Sequence, residues 1–378
     1  MSHAGTALGG QLVFRPGRAL PTIASNRTAL AQRLLRGRPA ADAPQQLLRL
    51  YALCGRAHGL TARLVIDAAH GLRTRPTAHE LNGFIVETAC EHVRRIWMDW
   101  PRLITGQIPA NLAAVLSECP LFRYGVGADK IPPALQGWLE THLLGEAAAP
   151  WLAQWDADPE HCMRQWTTRA RTMPANLLAA VDADACALQA AGPTLLPHRQ
   201  PDCLRTLASA MAADEEFGSL PSQAGMMCET GVWTRLAAQR DEAGPVANAW
   251  LRLGARIAEL VRLSVPAATP GATPPLAIGA MTLGPGRALA WSEMARGLLL
   301  HLVWLTPATN SDVAQVADYR IVAPTEWNFH PRGIVARALA DMPTPRSTVS
   351  RQHIGRQVAI LAAAFDPCVD YRIEFEHA

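Results

Sequence analysis

The chain has 378 residues, 49% of them hydrophobic, which is ample for a buried core. Charged residues make up only 18%, and the formal net charge is +3. So small a basic surplus, with its arginines scattered along the chain, gives no electrostatic footprint for nucleic acid or for an anionic membrane, and we expect neither as a partner.

Apolar residues recur at spacings of three and four along most of the chain, which predicts amphipathic helices. The predicted helices lie at about 27–36, 56–71, 78–98, 109–118, 133–144, 174–191, 203–213, 245–264, 291–300 and 350–363. Extended structure is predicted for 10–15 and for an antiparallel pair formed by 297–305 and 318–322. The stretch VPAATPGATPP at 265–275 predicts a loop or linker within a single domain that spans 1–378. The expected fold class is α+β, predominantly helical.

No targeting or nucleotide-binding segment stands out. The most apolar stretch, 297–305, is far shorter than the ~20 residues that a membrane-spanning helix needs. The opening MSHAGTALGG lacks the basic start and apolar run of an export signal, so we expect a cytoplasmic protein. GGQLVFRPG lacks both the spacing and the lysine of a phosphate-binding loop.

Two of the eight cysteines stand in informative positions. With no C-x-x-C pair, a structural zinc site is not expected, and a disulfide framework is improbable in a chain of this kind. Cys54 and Gly55 open a long predicted helix, whose dipole favours a thiolate; the alternative is a buried cysteine that caps the helix. Cys368 follows the turn Asp366-Pro367 and is expected to be exposed. His58 lies one turn after Cys54, although a lone histidine is more often structural than a ligand.

Five collinear segments carry a resemblance to one family. They are RGRP at 36–39 followed by DAPQ and LCG, ETGVWTR at 229–235, EMARGLLLH at 293–301, YRIVAPTEWNFHPRG at 319–333 and AFDPC at 364–368. They resemble R-x-C-G-x-C, E-T-G-P-L-A-R, E-A-P-R-G-x-L-x-H, Y-x-x-V-x-P-T-T-W-N-x-x-P-R-D and D-P-C-x-x-C of the nickel-iron hydrogenase large subunit. The resemblance covers nearly the whole chain and implies that fold, with Cys54 and Cys368 at the positions of the terminal nickel ligands.

The departures from the family pattern bear on function. The second cysteine of each pair, which bridges nickel and iron in the family, is replaced by Ala57 and Tyr371. Other motif positions that differ are Ala52 for an arginine, Thr61 for a histidine and Glu374 for the final histidine, a role that His377 does not inherit. Two cysteines cannot form a four-thiolate cage, so the resemblance implies loss of catalysis with retention of binding.

This combination resembles hydrogenase expression/formation proteins of the HoxV/HupK type. The resemblance implies a maturation scaffold, not an enzyme, that holds the Fe(CN)2CO fragment through Cys54 and Cys368, without nickel. Soft anionic sulfur suits such low-spin iron. Arg296 is expected beside the diatomic ligands, Pro324 with Thr325 is expected to contact cyanide, and His58 is a further candidate for the cofactor-binding shell. The implied partners are a HypC-type chaperone and the immature hydrogenase large subunit.

Alternatives remain at this point. One alternative is a catalytic hydrogenase large subunit with bridging ligands from elsewhere, for which Cys90 and Cys228 are poor candidates by spacing. The other is a metal-free interaction protein that mimics the large subunit. An ordinary ion pair at a helix end is the alternative for Arg296. A framework role is the expectation for Glu229, Arg235 and Trp327.

Overall fold

A computed structural model describes residues 10–28, 30–73, 75–123, 131–238, 247–265, 276–306 and 313–375. Within these ranges the chain is mostly helical, as predicted, and it contains two small sheets. All of the predicted loop 265–275 except its first residue, and the first two residues of the predicted helix 245–264, lie outside the described residues.

The described strands form two separate sheets. The strands are β1 Leu12–Phe14, β2 Ile23–Ser25, β3 Ile278–Gly284, β4 Arg287–Met294, β5 Gly297–Leu305, β6 Val316–Val322 and β7 Tyr371–Ile373. In the smaller sheet β1 is central, antiparallel to β2 and parallel to β7, so both ends of the chain meet there. The larger sheet is an antiparallel meander in the order β3-β4-β5-β6.

The described α-helices make up most of the fold. They are α1 Leu30–Leu35, α2 Ala43–Leu50, α3 Gly55–Ala69, α4 Ala78–Arg94, α5 Trp100–Thr105, α6 Leu112–Glu118, α7 Pro120–Arg123, α8 Ala134–Leu139, α9 Ala148–Ala157, α10 Pro159–Arg169, α11 Met173–Ala179, α12 Asp182–Ala187, α13 Pro201–Ala213, α14 Val232–Ala237, α15 Ala249–Ser264, α16 Pro324–Asn328, α17 Ile334–Ala340 and α18 Thr348–Phe365. Short 3-10 helices occupy Ala40–Asp42, Pro197–Arg199 and Glu215–Gly218.

Helix α4 continues into α5 through one π-helical stretch, Arg95–Asp99. A capping box between Thr77 and Glu80 fixes its start, because each residue's side chain bonds the other's backbone N–H. The wider π turn inserts an extra residue into the helix, a distortion that often marks functional regions. Both Arg95 and Asp99 belong to the ion-pair network described below.

Helix α15 is the centre of the helical core. Nearly all of its side chains are buried, and it packs against α4, α9, α10, α14 and α18. Its buried side chains include three charged ones, Arg252, Arg256 and Glu259, and each of them lies in an ion pair with a residue outside the helix.

The larger sheet is buried on both faces. One face, with Ala290 and Val303, packs on α3, and the other, with Leu300 and Leu302, packs on α13 and α16. The predicted antiparallel pairing of 297–305 with 318–322 is confirmed, with His301 opposite Ile321. The predicted helix at 291–300 is wrong: this segment contains the end of β4, a two-residue turn and the start of β5.

Other predicted helices are confirmed with shifted bounds. The predicted helix 174–191 is divided into α11 and α12 by a turn at Ala180 and Val181. The predicted helix 350–363 is α18, which begins earlier because Ser347 and Ser350 form a capping box. The elements that were not predicted are the strands β2, β3, β4 and β7 and the helices α2, α5, α7, α9, α10, α14, α16 and α17.

Candidate metal-binding site

Cys54 stands at the N-terminus of α3, as the sequence predicts. The first helical residue is Gly55, and any Cβ there would lie 2.4 Å from the carbonyl oxygen of Leu48, so this close approach requires glycine. Cys54 is the N-cap residue, yet its side chain makes no capping hydrogen bond.

A carboxylate from α4 caps α3 in place of the cysteine. Glu87 accepts the backbone N–H of Arg56 at 2.7 Å and that of Ala57 at 2.9 Å. These bonds satisfy donors that a helix N-terminus leaves unpaired, so the Cys54 sulfur is not needed for capping. Burial raises the pKa of Glu87 to about 7.

Cys368 lies in the turn after α18 and is half-buried rather than exposed. Its sulfur accepts two hydrogen bonds, from Thr325 Oγ1 at 3.1 Å and from Arg27 Nη1 at 3.0 Å. The hydroxyl of Thr325 also accepts the Cys368 backbone N–H at 3.2 Å. Pro324 begins α16 at its first helical position, which fixes where Thr325 projects.

Cys368 lines a cleft of about 270 Å³ that is open to solvent. Its walls include Leu53, Arg102 and Tyr371, the residue at the position of the missing second cysteine. Tyr371 stacks on Phe14 with ring centroids 4.8 Å apart. The other missing cysteine position, Ala57, is fully buried.

The two sulfurs and Arg296 share one electrostatic environment. Burial raises the pKa of the Cys54 thiol above its ordinary range; Arg296 opposes this shift, and Cys368 adds to it. In the chain alone burial therefore favours the Cys54 thiol over the thiolate at neutral pH. The positive charge of Arg296 favours a thiolate there.

Arg296 lies at the tip of the hairpin that joins β4 and β5, not in a helix. The turn is tight because Gly297 has a φ of +130°, and a Cβ there would lie 2.7 Å from Thr230 Oγ1. The guanidinium is buried and bonds Glu91 Oε2 at 2.7 Å through Nη2. Its Nη1 is buried without a hydrogen-bond partner in the described part of the chain.

Asp366 is the common counter-ion of three buried arginines. It contacts Arg95, Arg256 at 3.1 Å and Arg296 Nε at 3.3 Å. Arg95 also bonds the Pro367 carbonyl at 2.7 Å, next to Cys368. From the sequence Asp366 is predicted only as a turn residue, because its role as a counter-ion depends on chain segments that are far apart in sequence.

His58 belongs to a buried chain of rings. It stacks on Tyr51 with centroids 3.6 Å apart, and its Nδ1 lies 3.1 Å from Nε2 of His301. His301 Nδ1 in turn lies 2.7 Å from the Tyr319 hydroxyl. Burial lowers the pKa of His58 to about 3, so the ring is neutral. Its described contacts are with rings, not with either sulfur.

The residues expected to form a framework lie in buried contacts. Glu229 pairs with Arg252 at 2.6 Å, and Arg235 pairs with both Glu259 and Glu293. Trp327 is fully buried. All eight cysteines are free, and no group of three or more metal-ligand side chains converges among the described residues.

Sequence reasoning missed Arg27, Glu87 and Glu91, which surround the two cysteines. Only one sequence signal pointed toward them: Glu326, which pairs with Arg27 at 2.9 Å, stands where the hydrogenase motif has its second threonine. Glu87 and Glu91 lie on one predicted helix and carry no motif.

The chain is similar over almost its full length to hydrogenase expression/formation proteins. It is 44% identical to the hydrogenase expression/formation protein HoxV of Cupriavidus necator, over 98% of this chain and 96% of that protein. It is 30% identical to the hydrogenase expression/formation protein HupK of Bradyrhizobium diazoefficiens, over 92% and 90%. The chain belongs to the HoxV/HupK family of hydrogenase expression/formation proteins. No family model matches the chain.

The fold is similar to solved hydrogenases. The Ni-Fe-Se hydrogenase of Desulfovibrio vulgaris Hildenborough, in the as-isolated oxidised state, matches with a TM-score of 0.52 and 16% identity. The match covers 91% of this chain and 92% of that one. The predicted hydrogenase large-subunit-like fold is thereby confirmed. Within the described ranges, no helix is both long and apolar enough to cross a membrane.

Proposed function

We propose that this protein is a non-catalytic maturation scaffold that holds an Fe(CN)2CO fragment through Cys54 and Cys368 and passes it to a nickel-iron hydrogenase large subunit. Its membership in a family of hydrogenase expression/formation proteins supports the assembly role. The cargo is the finer step, and it rests on the chemistry of the site.

The observation that carries the cargo proposal is the unpaired Nη1 of Arg296. A buried donor without a partner is costly, so a site that keeps one is suited to a ligand with an acceptor. Cyanide nitrogen is such an acceptor. The Arg296 charge acts on both Cys54 and Cys368, which would present soft thiolates to the iron.

The surrounding residues have distinct roles in this proposal. Thr325, positioned by Pro324, donates its hydroxyl hydrogen to the Cys368 sulfur, and it would lie beside a cyanide of a fragment bound to that sulfur. His58 supports Tyr51, whose pKa is raised by burial and by the neighbouring Cys54. Metal binding requires both sulfurs to be deprotonated, and iron together with Arg296 stabilises the thiolate that burial disfavours.

The absence of second cysteines fits a cargo that must leave. Ala57 and Tyr371 offer no bridging thiolate, so the fragment would be held by two protein ligands rather than four. Weaker attachment favours release to the acceptor. We propose a HypC-type chaperone as the donor and the immature large subunit as the acceptor, in the cytoplasm, with the cleft beside Cys368 as the route of entry.

The test is infrared spectroscopy with metal analysis on protein purified anaerobically from cells with an intact maturation pathway. We expect CN and CO bands, iron, and essentially no nickel. Stoichiometric nickel with hydrogen uptake would instead support a catalytic large subunit, and a metal-free protein without bands would support an interaction protein.

Cysteine variants identify the ligands. Cys54→Ser and Cys368→Ser should each lose iron while the chain stays folded, because a hydroxyl has a similar volume but is a poor ligand for this soft fragment. Cys203→Ser is the matched control, because Cys203 lies on α13 and bonds Gln200. If the control loses iron to the same extent, or if neither site variant does, the two-cysteine assignment is wrong.

Partners are tested by mild crosslinking in cells that assemble hydrogenase. We expect both the chaperone and the immature large subunit to be captured, through interfaces of modest area. Recovery of neither would remove the delivery route from the proposal.

A further inference from the structure

A positively charged side chain that no hydrogenase motif predicts is bonded to Cys368. Arg27, just after β2, donates from Nη1 to the Cys368 sulfur at 3.0 Å. A different nitrogen of the same guanidinium, Nε, donates to Glu326 Oε1 at 2.9 Å. Both side chains are mostly buried, with 18% of Arg27 and 15% of Glu326 exposed.

The ion pair is oriented relative to the sulfur. Arg27 is in contact with Cys368 through Nη1, whereas Glu326 contacts the guanidinium through Nε. Glu326 is also adjacent to Thr325, the second donor to the same sulfur. One short helix, α16, therefore supplies both a direct donor to Cys368 and the anchor that holds Arg27 there.

This arrangement discriminates between two kinds of metal cargo by charge. A metal bound to the Cys368 sulfur at ~2.3 Å would lie within about 5 Å of the guanidinium. A bare Zn²⁺ or Ni²⁺ ion brings two positive charges to that point, and the Coulomb repulsion is strong in a partly buried site. The Fe(CN)2CO fragment carries Fe²⁺ and two cyanides, so it is formally neutral and avoids most of this repulsion.

The hydrogen bond acts in the same direction. A sulfur that accepts hydrogen bonds from both Arg27 and Thr325 has fewer lone pairs left for binding a metal ion. It also attracts a dication less, because hydrogen bonds withdraw negative charge from the thiolate, and a formally neutral fragment depends less on that charge.

We propose that the Arg27–Glu326 pair is a specificity-determining device that keeps bare divalent cations off Cys368 and leaves the site to a neutral iron fragment. The identity of the favoured cargo, a neutral iron fragment, rests on the proposed function. The exclusion itself is testable without that cargo, on the metal-free protein.

The experiment is a competition titration of the reduced, metal-free full-length protein with Zn²⁺ and with Ni²⁺. Arg27→Met removes the charge at similar length and should tighten Zn²⁺ binding by about tenfold or more. Arg27→Lys keeps the charge and should stay within about threefold of the wild type. Glu326→Gln leaves Arg27 uncompensated and should weaken Zn²⁺ binding.

The opposite signs separate this device from a structural role, because mere loosening of the site would shift both variants in the same direction. Adding Cys368→Ser to Arg27→Met should abolish the gain. An unchanged or weaker affinity in Arg27→Met, or a tighter one in Glu326→Gln, would overturn the inference. If Arg27→Met does not fold, as judged by circular dichroism, Glu326→Gln and Arg27→Lys decide the matter.

Failure of this inference and failure of the proposed function are distinguishable. Infrared bands of bound CN and CO with no change in dication affinity would refute only the role of Arg27. Absence of those bands, together with the expected opposite shifts, would refute only the iron cargo.

Discussion

The charge of Asp366 is expected to be among the largest single contributions to the stability of the site. It contacts three buried arginines, Arg95, Arg256 and Arg296. The substitution Asp366→Asn removes the charge and preserves the volume. It also preserves the backbone, because φ is +55° and asparagine tolerates the left-handed region.

The size of the effect follows from what each arginine retains. Removing one partner of a buried ion pair costs about 3–5 kcal/mol. Arg296 keeps Glu91 at 2.7 Å and Arg95 keeps Asp99 at 3.0 Å. Arg256 has no other carboxylate in contact among the described residues, and burial already lowers its pKa to about 10. We therefore expect the lower end of the range, about 3 kcal/mol.

The effect has a defined pH dependence. Burial alone would raise the pKa of Asp366, but Arg296 and Arg95 outweigh it and hold the pKa below the ordinary value of 3.8. A carboxyl group with a depressed pKa stabilises the fold above its unfolded pKa and loses that contribution as the pH falls. The difference between wild type and Asp366→Asn should be complete at pH 7 and shrink below about pH 4.

The assay is urea denaturation followed by circular dichroism at several pH values. The matched control is Asp370→Asn, four residues along the same loop and exposed, which should change the free energy of unfolding by less than ~0.5 kcal/mol. The counter-ion role would be refuted if the loss in the free energy of unfolding for Asp366→Asn lay within about 1 kcal/mol of the loss for Asp370→Asn. It would also be refuted if the loss for Asp366→Asn did not diminish in acid.

Three further predictions concern the walls of the site. Burial raises the pKa of Glu87 to about 7, so ionisation of this carboxyl group destabilises the fold. As the pH rises from about 4.5 to 8, the free energy of unfolding of the wild type should fall by up to about 3 kcal/mol relative to that of Glu87→Gln. A difference between the two proteins that does not change with pH in denaturation curves would contradict this. Gly55→Ala places a Cβ 2.4 Å from the Leu48 carbonyl oxygen, so it should displace the start of α3 and speed the reaction of Cys54 with a thiol reagent. Gly137→Ala is the control: its Cβ would meet open space, and the reaction rate of Cys54 should not change. His58→Phe keeps the stacking on Tyr51 but removes the hydrogen bond to His301, and it should lower the free energy of unfolding by about 1–3 kcal/mol. No change in thermal unfolding would show that this hydrogen bond does not contribute to stability.

The local structure around each cysteine was predictable from sequence alone. The helix period after Cys54 predicted α3, and the pattern before Asp366 predicted α18 with Cys368 in the turn that follows. Both depend on contacts between near neighbours in the chain, and spacing reveals such contacts.

The segment 291–300 shows why periodicity failed elsewhere. Strands β4 and β5 are buried on both faces, between α3 on one side and α13 on the other, so they read as a continuous apolar run. Such a run has no period of two, and it cannot be told from a buried helix by pattern. The error put Arg296 in a helix, although its place at a hairpin tip brings it to the cysteines.

The sequence by itself determined the fold family, the two candidate ligands Cys54 and Cys368, and the absence of the second cysteine of each pair. Each of these depends only on which residues occupy an ordered set of motifs. Only the tertiary structure decided which charges surround Cys368. Arg27 and Cys368 are far apart along the chain, and they meet because β1 pairs both with β2, which precedes Arg27, and with β7, which follows Cys368. Helix α16 brings Glu326 to the same guanidinium. Burial strengthens the interactions of these charges, because a charge that is removed from water is stable only when an opposite charge or a bound ligand compensates it.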